Sequence, residues 1–329
     1  MEPINASERP LVTVVCPVFN EEKSVPLFYE RLLLALKDIE QQVRFEFLFI
    51  NNRSTDRTLE TIKDLQAKDP RIRYITMSRN FGYQASITAG MRHASGNAVV
   101  NIDVDCEDPP EMIPQFIERW LAGADVVYGL RHQREEFFLM HWARKVFYRV
   151  TRMVSDHEIV LDMAEFFLVD RRVRDYVLSG RSTFPFVRGQ VGYVGFRREG
   201  IAYKRERRLV GQTHYNLLSA TRFGAAGILS SSTLALRLLA YVGGTGFVLN
   251  LIGAAWLVAG GERTGLTLSA RLLIALAAVQ VGWMLLAFGV VGIYLARVYK
   301  DNIGLPLYVV DDRLSSPATQ KPREMTVHG

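Results

Sequence analysis

The chain has 329 residues, 49% of them hydrophobic, and this length predicts about two structural units. Its two cysteines cannot build a disulfide framework and its six histidines show no metal-ligand spacing, which favours a reducing compartment and argues against a histidine-built metal site. The formal charge is +6 and the pI about 9.3, so nucleic acid, an anionic membrane and anionic substrates all stay open as partners.

From residue 11 onward, short apolar strands alternate with amphipathic helices. The predicted strands cover residues 11–18, 45–51, 72–77, 98–103 and 125–129. The predicted helices lie between them, at 23–42, 54–66, 84–95 and 109–122. This alternation predicts a mostly parallel sheet covered on both faces, whose ligands bind beyond the carboxyl ends of the strands. No glycine-rich phosphate loop follows the first strand, which argues against P-loop and dinucleotide-binding proteins.

Four carboxylates crowd the end of the fourth predicted strand, at Asp103, Asp105, Glu107 and Asp108. Residues two apart on an extended segment point the same way, so the first three are expected to converge on one point. Their mutual repulsion would raise their pKa values, and a bound Mg²⁺ or Mn²⁺ would remove that conflict. A solvated acidic loop before a helix that begins at Pro109-Pro110 explains the same pattern. The place of the cluster at the sheet edge favours a site for a metal and a diphosphate.

The last third of the chain contains two long uncharged segments, 238–259 with 22 residues and 272–296 with 25 residues. Each has the roughly 20 residues that a bilayer core requires, so two transmembrane helices with a short connection are predicted. A modest bias of flanking basic residues places both ends in the cytoplasm, and no signal peptide precedes the first strand. Residues 215–232 are mildly amphipathic and predict either a helix in the membrane interface or an ordinary loop or core helix.

Five segments resemble the family-two glycosyltransferases: 14–22, 77–90, 103–111, 126–131 and 211–215. More closely, they resemble polyprenyl-phosphate sugar transferases such as bactoprenol glucosyltransferase and dolichol-phosphate mannose synthase. The resemblance covers nearly the whole chain, including both predicted spans. It implies a GT-A nucleotide-sugar-binding domain that transfers a sugar, with inversion, from a nucleotide donor to a polyprenyl phosphate such as undecaprenyl or decaprenyl phosphate.

The resemblance also implies roles for individual residues. Together with the sheet-edge position of Asn80, it assigns the donor to Pro17, Asn20, Glu21, Asn51, Asn80 and Asp103. The implied catalytic residues are Asp103, Asp105 and Glu165, and the implied ligands of Mg²⁺ or Mn²⁺ are Asp105 and Glu107. The acceptor phosphate is implied to bind Arg131, Arg205 and Arg208.

The chain departs from the family pattern in two segments. The family's Asp-Asp-Gly-Ser is here Asn51-Asn52-Arg53-Ser54, which could alter the preference for the nucleotide base. Arg53 in place of glycine predicts a position that does not require a positive φ. Glu165 and Phe167 replace an aspartate and an arginine. These departures keep a second hypothesis open, a non-catalytic homologue that binds nucleotide sugar or lipid phosphate in a membrane complex.

The predicted architecture is therefore an α/β GT-A domain followed by an interfacial helix and two transmembrane helices. The expected boundaries are 1–214 for the cytoplasmic GT-A domain, 215–232 for the interfacial helix, 233–299 for the transmembrane hairpin and 300–329 for a cytoplasmic tail. The expected location is the inner membrane, with the catalytic domain and both termini cytoplasmic and a role in modifying cell-envelope glycans. The expected partners are the nucleotide sugar, polyprenyl phosphate and the bilayer, but not nucleic acid. The resemblance also implies a homo-oligomer, such as a tetramer.

Overall fold

The computed structural model describes residues 9–131, 163–180, 187–206 and 266–317, with a few helical residues between 239 and 252. The strands are β1 (Leu11–Val18), β2 (Arg44–Asn51), β3 (Ile72–Thr76), β4 (Ala98–Asn101), β5 (Val126–Arg131), β6 (Met163–Asp170) and β7 (Arg198–Tyr203). They form one seven-stranded sheet in the order β3-β2-β1-β4-β6-β5-β7.

The helices of the described regions connect these strands or follow them. They are α1 (Ser24–Leu36), α2 (Thr58–Lys68), α3 (Tyr83–His93), α4 (Ile113–Leu121), α5 (Arg171–Ser179), α6 (Val187–Tyr193) and α7 (Leu266–Ile303). Short 3₁₀ turns occupy Ile39–Gln41, Pro110–Met112 and Asp312–Leu314.

The prediction of a mostly parallel sheet is confirmed. Strands β1 to β4 pair in parallel, and so do β5 and β7, whereas β6 runs antiparallel to both β4 and β5. The sequence did not predict β6, which enters the sheet between β4 and β5 although it follows both in the chain. All five predicted strands are present, and each lies close to its expected bounds.

Two hydrophobic cores cover the two faces of the sheet. Along β1, Val14 and Cys16 belong to one core and Val15 to the other, as alternation along a strand requires. The first core includes Phe28 of α1 and Phe116 of α4, and the second is covered by α3, α5 and α6. Burial on both faces explains why β1 is a nearly continuous apolar run in the sequence.

Glycine lets α3 lie directly on β1. A Cβ atom added at Gly90 would stand 2.1 Å from Cγ1 of Val15. The small residue therefore fixes how closely the helix approaches the sheet. The N-terminal end of the same helix carries two side chains of the candidate site.

Residues 308–316, here called the C-terminal segment, add to the free edge of β3. Val310 forms an antiparallel bridge with Met77, and its neighbours exchange main-chain hydrogen bonds with the strand edge. The hydroxyl groups of Ser315 and Ser316 accept hydrogen bonds from the amides of Thr76 and Tyr74, at 2.9 and 3.0 Å. The segment thus satisfies polar groups that an edge strand would otherwise leave exposed.

The chain divides into two compact units. One comprises residues 1–148, 158–220 and 306–329 and contains the sheet, and the other comprises 149–157 and 221–305. Within the described residues of the second unit, α7 is the one helix long and apolar enough to cross a membrane, through its stretch Val279–Ala296. This helix covers the second predicted span, and most of the first predicted span, 238–259, lies outside the described residues.

Candidate active site

The carboxyl ends of β1, β2 and β4 share an unusual backbone feature. The loop after each of these strands contains one residue with a positive φ. These residues are Asn20, Arg53 and Cys106, with φ values of 57°, 63° and 58°. Such backbone conformations are costly for residues with a Cβ atom and tend to cluster at functional sites. The prediction that Arg53 has no need of a positive φ is therefore wrong, because the turn keeps its left-handed geometry without glycine.

Hydrogen bonds join the loop after β1 to the loop after β2. They involve two of the predicted donor residues, Asn20 and Asn51. The Oδ1 atom of Asn51 accepts a hydrogen bond from the amide of Ser54 at 2.9 Å, and the Ser54 hydroxyl accepts one from the amide of Asn20 at 3.0 Å. Asn20 in turn accepts a hydrogen bond from the Thr55 amide at 2.8 Å. Asn51 is only 1% exposed, so its amide already serves to hold the loop in place.

Asn80 joins this edge through the neighbouring Asn52. The Nδ2 atom of Asn52 donates to Oδ1 of Asn80 at 3.0 Å, and the Oδ1 atom of Asn52 accepts from the amide of Phe81 at 2.9 Å. Two more of the predicted donor residues lie in β1 or in the loop that follows it. Pro17 lies within the strand opposite Ile50 of β2, and the amide of Glu21 donates to the Thr58 hydroxyl at 2.8 Å.

The N-terminal end of α3 holds two of the predicted catalytic carboxylates. The Tyr83 hydroxyl donates to Oδ1 of Asp103 at 2.7 Å, and Nε2 of Gln84 donates to Oε1 of Glu165 on β6 at 3.1 Å. Glu165 is close enough to add its charge to the electrostatic environment of Asp103. Neither Tyr83 nor Gln84 was assigned a role from the sequence, although both lie in the family-like segment 77–90.

Burial and nearby negative charge disfavour the ionised form of Asp103. Burial raises the pKa of Asp103, the charge of Asp105 raises it further, and the Tyr83 hydrogen bond opposes them, which leaves the pKa at about 8. The same surroundings raise the pKa of Tyr83 well above its ordinary value, mainly through burial. A cation bound beside these carboxylates would favour the charged form of Asp103.

The expected convergence of Asp103, Asp105 and Glu107 is not found. The chain turns at residues 104–108, with Cys106 in a left-handed conformation, so the alternation of an extended strand does not apply. Among the described residues, no three carboxylate, histidine or cysteine side chains gather as a metal-ligand group. Asp105 is instead only 8% exposed and accepts a hydrogen bond from the Glu107 amide at 3.0 Å.

The remaining residues nevertheless suit a hard divalent cation. Asp105 and Glu107 offer carboxylate oxygens, the ligand type that Mg²⁺ and Mn²⁺ prefer. Mg²⁺ is commonly held by one or two protein carboxylates together with phosphate oxygens of a substrate. Two protein ligands beside a diphosphate therefore meet the requirements of such a site without a third carboxylate.

The segment that leaves β7 is fastened to the acidic turn. The Arg205 guanidinium forms an ion pair with Glu107, and the amide of Glu206 donates to the Glu107 carbonyl oxygen at 2.9 Å. The hydroxyl of Tyr203 donates a hydrogen bond to Asp108, which is only 2% exposed. The last residues of β7 and the turn after β4 thus form one connected polar cluster.

The predicted acceptor-phosphate residues are only partly covered by the structure. Arg131 ends β5, and its backbone lies opposite Tyr203 of β7. Arg205 is described, and its guanidinium contacts Glu107. Arg208 and the family-like segment 211–215 lie outside the described residues.

Comparison with known proteins identifies the family. Residues 13–177 match the family described as Glycosyl transferase family 2. The uncharacterized glycosyltransferase YkcC of Bacillus subtilis (strain 168) is 38% identical over 305 residues, which cover 91% of this chain and 92% of that protein. A bactoprenol glucosyl transferase of Shigella phage SfV is 33% identical over 307 residues, with coverage of 91% and 97%.

A solved structure is also similar over most of the chain. The mannosyltransferase PcManGT from Pyrobaculum calidifontis, in complex with GDP-Man and Mn²⁺, aligns with a TM-score of 0.46 and 18% identity, over 86% of this chain and 85% of that one. The family match begins in β1 and ends in α5, so it contains the acidic turn and most of the sheet. The chain therefore belongs to glycosyl transferase family 2 and is a glycosyltransferase with a GT-A α/β fold.

Proposed function

We propose that this glycosyltransferase moves a sugar from a nucleotide-sugar donor to a polyprenyl phosphate, such as undecaprenyl or decaprenyl phosphate. The observation that carries the proposal is the 33% identity, over 91% of this chain, to a relative named bactoprenol glucosyl transferase. The apolar helix α7 supports a lipid acceptor, because its stretch Val279–Ala296 is long enough to lie in a bilayer. The product would supply sugars for modification of cell-envelope glycans.

The reaction forms one bond and breaks another at the anomeric carbon of the sugar. A phosphate oxygen of the acceptor attacks that carbon, and the nucleoside diphosphate leaves from the opposite face with the bonding electron pair. Attack from the opposite face inverts the anomeric configuration. A phosphate monoester has a second pKa near 6, so at pH 7 the acceptor is mostly a dianion and does not strictly require a general base.

The protein's task is then to position both substrates and to offset charge. The proposed donor residues are Pro17, Asn20, Glu21, Asn51, Asn80 and Asp103. Asp105 and Glu107 would hold Mg²⁺ or Mn²⁺, which when bound supplies positive charge beside the leaving diphosphate. Asp103 and Asp105 act at the donor diphosphate, and Glu165, held by Gln84, lies near enough to contribute to the charge around it.

The acceptor phosphate is proposed to bind Arg131, Arg205 and Arg208. Guanidinium groups suit this role because they form charge-assisted and often bidentate hydrogen bonds with phosphate. A basic stretch, 204–208, contains two of these arginines and precedes the predicted membrane segments in the chain. Positive charges in such a place also attract the anionic surface of a membrane.

A direct assay tests the proposed reaction. The detergent-solubilised full chain is incubated with undecaprenyl phosphate, Mn²⁺ and a panel of radiolabelled nucleotide sugars, and the label in the organic extract is counted. We expect one donor to give a lipid-soluble product that disappears when the metal is chelated. Asp105→Asn is expected to reduce the rate by at least about a hundredfold, because a metal ligand is lost.

The same substitution at Asp64, an exposed residue of α2, serves as the matched control and should leave the rate unchanged. Failure of every donor to label the lipid would contradict the proposal. An unchanged rate in Asp105→Asn would contradict the role of the metal site.

We also propose the membrane topology. The chain would span the inner membrane twice, with a GT-A domain at 1–214, an interfacial helix at 215–232, a hairpin at 233–299 and a tail at 300–329, and both termini cytoplasmic. Assembly as a homo-oligomer such as a tetramer belongs to the same proposal. Cys16 and Cys106 are both buried, so a single added cysteine can report topology in intact cells.

An impermeant maleimide is expected to label Thr264→Cys, in the predicted external loop, but not Ser7→Cys at the N-terminus. Labelling of Ser7→Cys in intact cells would contradict the proposed orientation. Cross-linking of the solubilised chain, followed by electrophoresis, tests the oligomeric state.

A further inference from the structure

Arg205 and Glu107 neutralise one another at a place where two substrates have to bind. The Nη2 atom of Arg205 pairs with Oε2 of Glu107, and the two side chains are 27% and 17% exposed. The amide of Glu206 donates to the Glu107 carbonyl oxygen at 2.9 Å, so the backbone of the two segments is fastened beside the ion pair. The guanidinium and the carboxylate are therefore held together by both side-chain and main-chain contacts.

The ion pair occupies an oxygen atom that a metal ion would need. Glu107 provides one of the two carboxylates of the proposed cation site, and its Oε2 atom already faces a positive charge. A divalent cation and the guanidinium cannot both occupy the same side of one carboxylate, because their charges repel at contact distance. Metal binding through Oε2 of Glu107 therefore requires Arg205 to move.

The displaced guanidinium would need a new anionic partner. Within the part of the chain that the structure describes, the Nε atom of Arg205 is buried and has no hydrogen-bond acceptor. A partly buried cation that loses its counter-ion is unfavourable, and a phosphate group can accept two parallel hydrogen bonds from a guanidinium. The incoming acceptor is the phosphate that the reaction supplies.

We propose that Arg205 is a positioning residue that neutralises Glu107 before the metal and the donor bind and is then transferred to the acceptor phosphate. The inference rests on the proposed function, since it uses the proposed metal ligands and acceptor. It predicts that the donor with its metal binds first and that the acceptor phosphate binds better afterwards. A single arginine thereby links the two halves of the reaction.

Three roles for Arg205 predict different effects of Arg205→Gln on Mn²⁺ binding in the absence of acceptor. The proposed exchange, in which Arg205 leaves Glu107 for the acceptor phosphate, predicts that the variant binds Mn²⁺ more tightly, because Glu107 no longer has a competing cation beside it. A purely structural role predicts weaker binding, and a role at the acceptor alone predicts no change. The sign of the effect on the metal therefore separates the three.

The experiment measures Mn²⁺ binding to the full chain in detergent, by electron paramagnetic resonance of free Mn²⁺, with UDP or GDP present and no acceptor. We expect Arg205→Gln to bind Mn²⁺ about fivefold more tightly, the size of a partly exposed ion pair. The same variant should raise the KM for undecaprenyl phosphate. The matched control is Arg197→Gln, which removes an ion pair between the exposed Arg197, just before β7, and Glu199 within β7. It should change neither the Mn²⁺ affinity nor the KM for undecaprenyl phosphate.

A double-mutant cycle tests whether Arg205 acts through Glu107. In a Glu107→Gln background, Arg205→Gln should have no further effect on Mn²⁺ affinity, because the charge that it neutralises is gone. Equal effects of Arg205→Gln in both backgrounds would overturn the inference. Arg205→Met, which also removes the positive charge, should shift Mn²⁺ affinity in the same direction as Arg205→Gln. It replaces that variant if circular dichroism shows Arg205→Gln to be unfolded.

Unchanged or weaker Mn²⁺ binding in a folded Arg205→Gln would overturn the inference and leave the proposed function intact. Absence of nucleotide-dependent Mn²⁺ binding in the unmodified chain would contradict the metal site of the proposed function itself, and the exchange with it. The two failures are thus distinguishable in one set of titrations.

Discussion

His93, the last residue of α3, is expected to make the folded sheet domain lose stability in mild acid. Burial, together with the positive charges of Arg73 and Arg92, lowers the pKa of His93 from 6.5 to about 4, against a weak opposite effect of Asp312. Its ring lies 6.1 Å from that of Tyr308 in the C-terminal segment. The folded state therefore holds the imidazole neutral at pH values where an unfolded chain would protonate it.

The size of the effect follows from the two pKa values. Because the folded pKa lies below the unfolded one, stability is complete above pH 6.5, falls as the pH drops towards 4, and then levels off. A pH of 5 lies about 1.5 units below the pKa of the imidazole in the unfolded chain, and each unit corresponds to about 1.4 kcal/mol. His93 alone should thus destabilise the folded domain by about 2 kcal/mol at pH 5.

His93→Phe isolates this contribution, because phenylalanine keeps a ring against Tyr308 but does not titrate. The free energy of unfolding is measured by urea titration with circular dichroism at pH 7 and pH 5, for the unmodified chain and the variant. We expect the unmodified chain to lose about 2 kcal/mol more than His93→Phe between the two pH values. Equal losses in the two proteins would refute the reasoning, since every other titrating group is common to both.

Three substitutions test packing and backbone geometry. Gly96→Ala should lower the free energy of unfolding by about 2 kcal/mol in urea titrations, because an added Cβ would stand 2.5 Å from the carbonyl oxygen of Ala98, which cannot move aside alone; an unchanged midpoint would contradict this. Arg53→Val should be at least about 1 kcal/mol less stable than Arg53→Gly, since both lose the same side chain but only glycine accepts a φ of 63° readily, and equal melting temperatures would show that the turn relaxes. Tyr203→Phe should cost about 1–3 kcal/mol in the same titrations by removing a buried hydrogen bond to Asp108, whereas Tyr193→Phe, at an exposed tyrosine of α6, should cost little.

The sequence predicted the sheet well where structure depends on local pattern. Strand β1 is an apolar run interrupted only by Thr13, and such a run indicates burial on both faces whatever the neighbours are. The position of β6 could not be predicted in the same way, because its pairing with β4 joins Asn101 to Phe167, far apart in the chain. No feature of the strand itself specifies a partner at that distance.

The candidate site shows the same division. Its place at the carboxyl ends of the strands follows from the parallel topology, which the alternation of elements predicts. The turn at Cys106 could not be foreseen, because left-handed conformations are usually indicated by glycine or asparagine, and cysteine gives no such indication. The ion pair between Arg205 and Glu107 depends on the backbone geometry at Cys106 and on the course of the chain after β7.

The C-terminal segment has a practical meaning for anyone who wishes to shorten the protein. Removal of everything from α7 onward, to eliminate its apolar surface, would also remove the residues that cover β3, and the bared amide and carbonyl groups would be open to strands of other molecules. A shortened version is better made by excising the middle and rejoining residues 306–317 through a flexible linker. Aggregation of the simple truncation, together with a monodisperse rejoined chain, would show that these residues protect the edge of the sheet from intermolecular strand pairing.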